Sequence, residues 1–443
     1  MEQEIFKAYD IRGIYPDQLD DESAYRIGIA IAEYLGLQEV VVGRDMRLSS
    51  PAIRESLVRG MIDKGVNVID VGRVSTPMVY FAVANYGYSG GIMITASHNP
   101  KEYNGFKVCR DQAIPVFGEE LQKIGQLAET ISFPIPSQTK GDISFKEILS
   151  DYKNHVLKFA TQIKRLKVIV DASNGMAGTI FPEVFSDLDL EIIGLYMEPD
   201  GNFPHHEPNP LKNENLVDLQ KKVLETRADL GIAFDGDADR VMFVDEEGQI
   251  IGADRITLLI GLELLKNHPA EAIVYDVRSS RIIPEKVSER GGKPVRCRVG
   301  HAFMKERMRA ERAIFGGELA GHYYFRGNFY ADNADIAAVS ILNLLSEENK
   351  GLAKILEPYQ IYYSSGEINR EVKDKEAKLK EMAELYKDGE VSFPDGLLVE
   401  YPDWWFNLRP SNTEPLLRLN VEARSQAAME RHRDRLLSQI DER

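Results

Sequence analysis

The sequence predicts an α/β protein of three similar α/β domains followed by a smaller α+β unit, and three observations lead there. Short β-branched runs recur in pairs with helical patterns between them, three times along the chain. The segment after residue 365 departs from that order, opening on a helical pattern before its strands. The length of 443 residues exceeds what one hydrophobic core usually supports, so about three or four domains are expected.

The first members of the pairs are Glu39-Val40-Val41-Val42-Gly43-Arg44-Asp45, Leu166-Lys167-Val168-Ile169-Val170-Asp171-Ala172 and Glu271-Ala272-Ile273-Val274-Tyr275-Asp276-Val277. Each reads as a buried strand ending in a polar turn. Their later counterparts are Gly91-Ile92-Met93-Ile94-Thr95, Leu230-Gly231-Ile232-Ala233-Phe234 and Arg312-Ala313-Ile314-Phe315-Gly316, each running into a polar loop. Between them lie amphipathic patterns such as Pro51 to Lys64, which sets Ile53, Leu57, Val58 and Met61 on one face. Open α/β sheets bind ligands beyond their strand ends, so each domain is expected to contribute one functional loop.

The turn-rich stretch 132–141 puts the first domain at 1–150. A hairpin from Val241 to Ile251, turning at Glu247-Gly248, puts the second at 151–252; the third is then 253–365. The last unit, 366–443, is expected to hold a helix from Lys373 to Tyr386, strands near Gly396 to Tyr401 and Trp404 to Leu408, and a final helix from Ser425.

Composition narrows the function. The net charge of -16 disfavours nucleic acid or an anionic membrane as a partner. Two cysteines, Cys109 and Cys297, supply neither a zinc pattern nor a disulfide framework, which points to a reducing compartment. The start, Met1-Glu2-Gln3-Glu4, has no signal-peptide character, and the apolar stretch around Ile256 to Leu265 is about half the length that spans a bilayer. A cytoplasmic location is expected.

Four loops carry the chemistry. In Phe234-Asp235-Gly236-Asp237-Ala238-Asp239-Arg240 three alternating carboxylates repel one another unless a divalent cation joins them, and a hard, oxygen-only site fits Mg²⁺. An EF-hand would use the same aspartates with Glu246, but Arg240 stands where its turn needs Gly and strands flank the loop. An acidic surface turn is the plain alternative. Ser97, in Ile94-Thr95-Ala96-Ser97-His98-Asn99-Pro100, is a nucleophile presented at a strand end or simply a turn residue. A serine-hydrolase elbow is absent, and His98 sits too close in sequence to act readily as its base. With a metal, a serine oxygen is a phosphoryl acceptor.

Arg409-Pro410-Ser411-Asn412-Thr413-Glu414-Pro415 offers a guanidinium fork, hydroxyls and an amide suited to a phosphate dianion, or an ordinary Asx turn. Glu318 and His322 flank a Gly-rich turn where a carboxylate can accept bonds from two sugar hydroxyls. His205-His206 are read as part of a plain linker, and His301 after Val299-Gly300 is ambiguous.

Taken in order and with Lys7-Ala8-Tyr9-Asp10-Ile11-Arg12-Gly13 and Asn104-Gly105-Phe106-Lys107, these segments resemble the α-D-phosphohexomutase superfamily, phosphomannomutase/phosphoglucomutase branch, over nearly the whole chain. The resemblance implies three α/β domains with mixed sheets and a mobile α+β fourth around a central cleft. It implies that Ser97 is the phosphoserine and that Asp235, Asp237 and Asp239, with Ser97, hold Mg²⁺. Lys107, Arg12, His98 and Arg240 fall at the reaction centre; Tyr9, Arg278, His301, Glu318 and His322 fall at the substrate; Arg409, Ser411, Asn412 and Thr413 form the distal phosphate loop. The implied reaction passes the phosphoryl group of Ser97 to a hexose 1- or 6-phosphate, giving a hexose 1,6-bisphosphate that also serves as activator. After the intermediate turns over, its other phosphoryl group returns to Ser97.

Two departures bear on the substrate. Ala320 stands where the branch often has Ser, while Asn412 stands where glucosamine-phosphate mutases usually have Gly. Tyr323-Tyr324-Phe325-Arg326 resembles phosphomannomutases, so mannose phosphates come first and glucose phosphates next. The alternatives are a phosphoglucosamine mutase, a non-catalytic phosphosugar-binding protein and a metal-dependent phosphatase. The partner expected is a small phosphosugar; protein partners are not indicated.

Overall fold

The computed structural model describes residues 2–135, 140–411 and 416–441. Four sheets follow one another along the chain. The first orders Ile11–Ile14, Tyr103–Arg110, Gly90–Ile94, Glu39–Arg44, Asn67–Arg73 and Ile143–Phe145; the last four are parallel, and Tyr103–Arg110 is antiparallel to both neighbours. The second orders Ile250–Ile251, Val241–Val244, Leu230–Phe234, Leu166–Asp171 and Leu190–Leu195. The third orders Lys293–Cys297, Ala272–Asp276, Phe315–Gly317 and Tyr323–Phe325. The fourth is antiparallel, with Leu416–Ala423 and Trp404–Pro410 at its centre. Three α/β domains with mixed sheets and a C-terminal domain are therefore present.

The parallel strands Gly90–Ile94, Leu230–Phe234 and Ala272–Asp276 are buried at every residue, which explains their unbroken apolar runs. Parallel neighbours need crossovers, and helices such as Ser50–Asp63 and Ile282–Glu289 supply them. On Ser50–Asp63 the expected face, Ile53, Leu57, Val58 and Met61, is buried. In each α/β domain the next strand then reverses: Ile94 pairs with Phe106, Phe234 with Val241, and Gly317 with Tyr323. The Ser97, Asp235 and Glu318 loops are those three reversals, and Arg409 lies in the equivalent hairpin of the fourth sheet.

Two expectations are corrected. The strand expected from Arg312 begins at Phe315, because Arg312 is left-handed (φ 51°) and Ala313 still bonds back to the preceding helix at Met308. The His205-His206 segment is pinned, not a plain linker: His205 bonds Asn174 at 2.8 Å, and His206 Nε2 lies 3.1 Å from Asp171, whose charge raises its pKa against the effect of burial. Cys109 and Cys297 are both free and buried. Among the described residues no helix is long and apolar enough to cross a membrane.

One apolar core runs from Val41 to Tyr362, joining one face of the first sheet to the second and third domains. The fourth domain has its own core and meets the third through a small patch of Val277, Val299, Leu398 and Trp405. Polar bonds complete that contact, chiefly the fork between Arg296 and Glu400 at 2.8 and 2.9 Å.

Within the large core, Tyr152 donates to Asp335 at 2.7 Å between the helices Leu149–Leu157 and Ala334–Glu348. Burial pushes Asp335 up to about 6, partly opposed by that bond. The folded pKa lies above the unfolded one, so the native state binds the extra proton, and stability falls as pH rises through about 6. Asp335→Asn keeps the acceptor and removes the charge. Its unfolding free energy is expected to exceed the parent's at pH 8, by up to about 3 kcal/mol, with the gap closing below pH 6. Melts across that pH range check it.

Candidate active site

The reversal loops meet at one cleft of about 510 Å³, lined by Tyr9, Arg12, Ser97, His98, Lys107, Arg240, Arg278, His301, Glu318, His322, Arg409 and Ser411. Asp235, Asp237 and Asp239 lie buried beneath it. Asn412 and Thr413 fall outside the described residues.

Ser97 occupies the left-handed region (φ 51°), and its Oγ donates to Asp235 Oδ2 at 2.7 Å. His98 Nδ1 is 3.3 Å from the same Oγ; burial, then Arg240, Arg12 and Lys107, lower its pKa well below the ordinary value, so the ring is neutral. The loop is held by Arg47, a residue the sequence reading did not single out. Its guanidinium donates to the carbonyls of Ser97 (2.9 Å), Asn99 (2.6 Å), Pro100 (2.7 Å) and Tyr103 (2.9 Å), while Asp45 balances its charge at 3.2 Å. Arg47, Asp45 and Ser97 are buried.

Oxygens of Asp235, Asp237 and Asp239 lie within 4.8 Å of one another. Burial, then the charges of Asp237 and Asp239, push Asp235 well above the usual carboxylate range. Lys107 bonds Asp237 at 2.7 Å and also Asp239; burial works against its charge, but these carboxylates raise its pKa above the ordinary lysine value. Thr76 donates to Asp237 at 2.5 Å. The buried Asp237 Oδ1 accepts no hydrogen bond among the described residues, and Asp239 Oδ1 faces His322 Nε2 at 3.3 Å. Three buried, mutually repelling carboxylates with an unbonded oxygen on Asp237 fit a hard divalent cation. The EF-hand reading is excluded because the loop joins two antiparallel strands, and Glu246 faces Ala353 instead, at 3.3 Å.

The remaining charged groups of the cleft are fixed by partners behind them. Arg12 bonds Asn99 at 2.6 Å and pairs with Asp10. Asp276, ending its strand, orients Arg278 at 2.8 Å. Glu318 accepts from Gly300 N–H at 3.0 Å and from the Tyr324 hydroxyl; burial would raise its pKa, but His322 and Tyr324 bring it down to about 2. Burial opposes the His322 imidazolium too, yet Asp239 and Glu318 raise its pKa to about 9. Burial and Lys305 keep His301 neutral. Gly300 (φ 131°) packs against Tyr9, where a Cβ would come within 2.6 Å of the ring, and Tyr9 donates to Val299 at 3.0 Å across the domain boundary. Lys305, the buried partner of Asp332 at 2.7 Å, supports the His301 helix. Arg47, Thr76 and Lys305 each stand close to other polar or charged residues in the sequence and carry no local signal of their own.

Comparison with known proteins covers the whole chain. Family models for phosphoglucomutase/phosphomannomutase match in order: alpha/beta/alpha domain I at 3–134, domain II at 149–248, domain III at 252–362 and the C-terminal domain at 367–439. A Xanthomonas campestris pv. campestris (strain B100) protein named "Phosphohexose mutases" is 41% identical over 443 residues, covering 98% of each chain. "Phosphomannomutase/phosphoglucomutase" of Pseudomonas syringae pv. tomato is 41% identical over 438 residues, covering 96% of this chain and 93% of its own. A crystal structure of a phosphoglucomutase/phosphomannomutase family protein from Burkholderia thailandensis superposes with a TM-score of 0.92 at 36% identity, over 99% of this chain and 97% of its own. With four domain matches in sequence and relatives this similar end to end, the chain belongs to the phosphoglucomutase/phosphomannomutase family.

Proposed function

We propose that the protein is a phosphohexomutase that interconverts hexose 1-phosphate and hexose 6-phosphate, mannose phosphates first and glucose phosphates next, by way of phospho-Ser97 and a hexose 1,6-bisphosphate. The observation that carries this reading is one cleft holding both a serine backed by a buried carboxylate triad and, from other domains, the arginines Arg278 and Arg409. A mutase needs both ends: a phosphoryl carrier, and an anchor for the phosphate already on the sugar.

In this reading Arg409 and Arg278, with Ser411, Asn412 and Thr413, hold the existing phosphate, and guanidinium forks suit its oxygens. Tyr9, Glu318, His301 and His322 bind the sugar, Glu318 as a fixed acceptor for hydroxyls. Arg12 and Arg240 steady the phosphoryl oxygens near Ser97. As the phosphoryl group leaves Ser97, its Oγ gains a proton and the sugar hydroxyl loses one; in this reading Lys107, which lines the same cleft, gives the first and takes the second, with neutral His98 beside Oγ. Asp235, Asp237, Asp239 and the phosphorylated Ser97 would hold Mg²⁺, which when bound neutralises phosphoryl charge and makes the serine oxygen a better leaving group. Domain units at 1–150, 151–252, 253–365 and 366–443, activation by hexose 1,6-bisphosphate and a cytoplasmic location belong to the same proposal.

The test is an assay of mannose, glucose and glucosamine phosphates with catalytic 1,6-bisphosphate. Turnover of mannose and glucose phosphates is expected; preference for glucosamine 6-phosphate, or release of inorganic phosphate in place of isomer, overturns the assignment. Stripping metal with a chelator is expected to abolish turnover, and Mg²⁺ to restore it. Arg409→Ala is expected to raise KM about tenfold or more, as losing a charged bond costs about 1.5–3 kcal/mol. Phosphorylation of its Ser97 by bisphosphate, read by intact mass, should remain detectable.

A further inference from the structure

Three of the arginines that line the cleft share one carboxylate that does not line it. Glu367, at the connection into the fourth domain, accepts from Arg409 Nη2 at 3.1 Å and from Arg418 Nη1 at 3.3 Å, and its Oε2 lies 3.7 Å from Arg278 Nη1. Arg278 comes from the third domain and the other two from the fourth, and all three also face the cleft. Burial favours the neutral acid, but Arg278, Arg409 and Arg418 hold Glu367 below the usual carboxylate range, so it is an anion. A carboxylate and a phosphate seek the same guanidinium donors. Asp276 also lies 2.8 Å from Arg278 and Asp395 lies 4.0 Å from Arg409, but Glu367 is a carboxylate that all three guanidiniums share.

We propose that Glu367 is a built-in counter-anion which competes with phosphate for Arg278, Arg409 and Arg418 and so weakens the distal phosphate site enough for the bound intermediate to let go and turn over. Glu367 acts through the arginines, as a positioning residue. The inference rests on the distal-phosphate reading of Arg409. A mutase must release each phosphate from this site in every cycle, and grip beyond what orientation requires slows that step.

The experiment titrates inorganic phosphate into the full-length protein by calorimetry, for the parent, Glu367→Gln, Glu367→Ala and Arg409→Ala. Removing the charge is expected to tighten phosphate binding about tenfold in both Glu367 variants and to strengthen phosphate inhibition equally. In turnover, KM for the hexose phosphate and kcat should both fall. Two charge-removing variants guard against one failing to fold. Parent binding that Arg409→Ala abolishes, but that both Glu367 variants leave unchanged or weaken, overturns the inference alone. Absence of phosphate binding in the parent, or binding indifferent to Arg409→Ala, overturns it together with the distal-phosphate reading.

Discussion

Ser97→Ala is expected to lower kcat by on the order of 10⁴-fold or more, the scale of loss when a nucleophile that forms a covalent intermediate is removed. Incubation with bisphosphate should add no phosphate to the peptide carrying position 97, while the parent gains one phosphoryl mass there. The fold should survive: the substitution deletes one hydroxyl, and its partner Asp235 is already pushed toward the protonated form by burial and by Asp237 and Asp239. Full activity in Ser97→Ala would remove the phosphoserine from the mechanism.

Arg47→Ala has the second large effect, on stability and rate together. It strips donors from four carbonyls of the Ser97 loop and leaves Asp45 as a buried charge without its cation. Breaking a buried pair in this way costs about 3–5 kcal/mol, which places the melting midpoint of the first domain roughly 10 °C lower. Arg47→Lys retains charge but cannot span four acceptors with one ammonium. It should keep KM near the parent value while kcat drops about 10²-fold, the cost of a nucleophile misplaced by about 1 Å. An Arg47→Lys protein with parental kcat would show that the loop holds itself.

Much of the architecture is legible in local pattern. The continuous apolar runs at Gly90–Ile94 and Leu230–Phe234 and the amphipathic face of Ser50–Asp63 announce buried parallel strands and their crossovers. Leu416–Ala423 was not anticipated, although it alternates. Its inward Glu422 looks like a surface residue until the fold supplies Trp405 at 2.6 Å and the Arg281 amide at 3.0 Å. The site shows the same division. The alternating aspartates suggest a cation site by their mutual repulsion, whereas Arg47 is one arginine among many until its four carbonyl partners are in place.

The sequence by itself determined the succession of α/β units and the four polar loops that are candidates for the site, because periodicity, turn residues and charge spacing act over a few residues at a time. Only the tertiary structure decided that Ser97 bonds an aspartate 138 residues away, that Lys107 is the counter-charge of Asp237 and Asp239, and that Glu367 stands behind three arginines of two domains. Those partners are chosen where chain segments cross in a low-dielectric interior, where every buried charge must find its opposite, and that choice leaves no trace in local spacing.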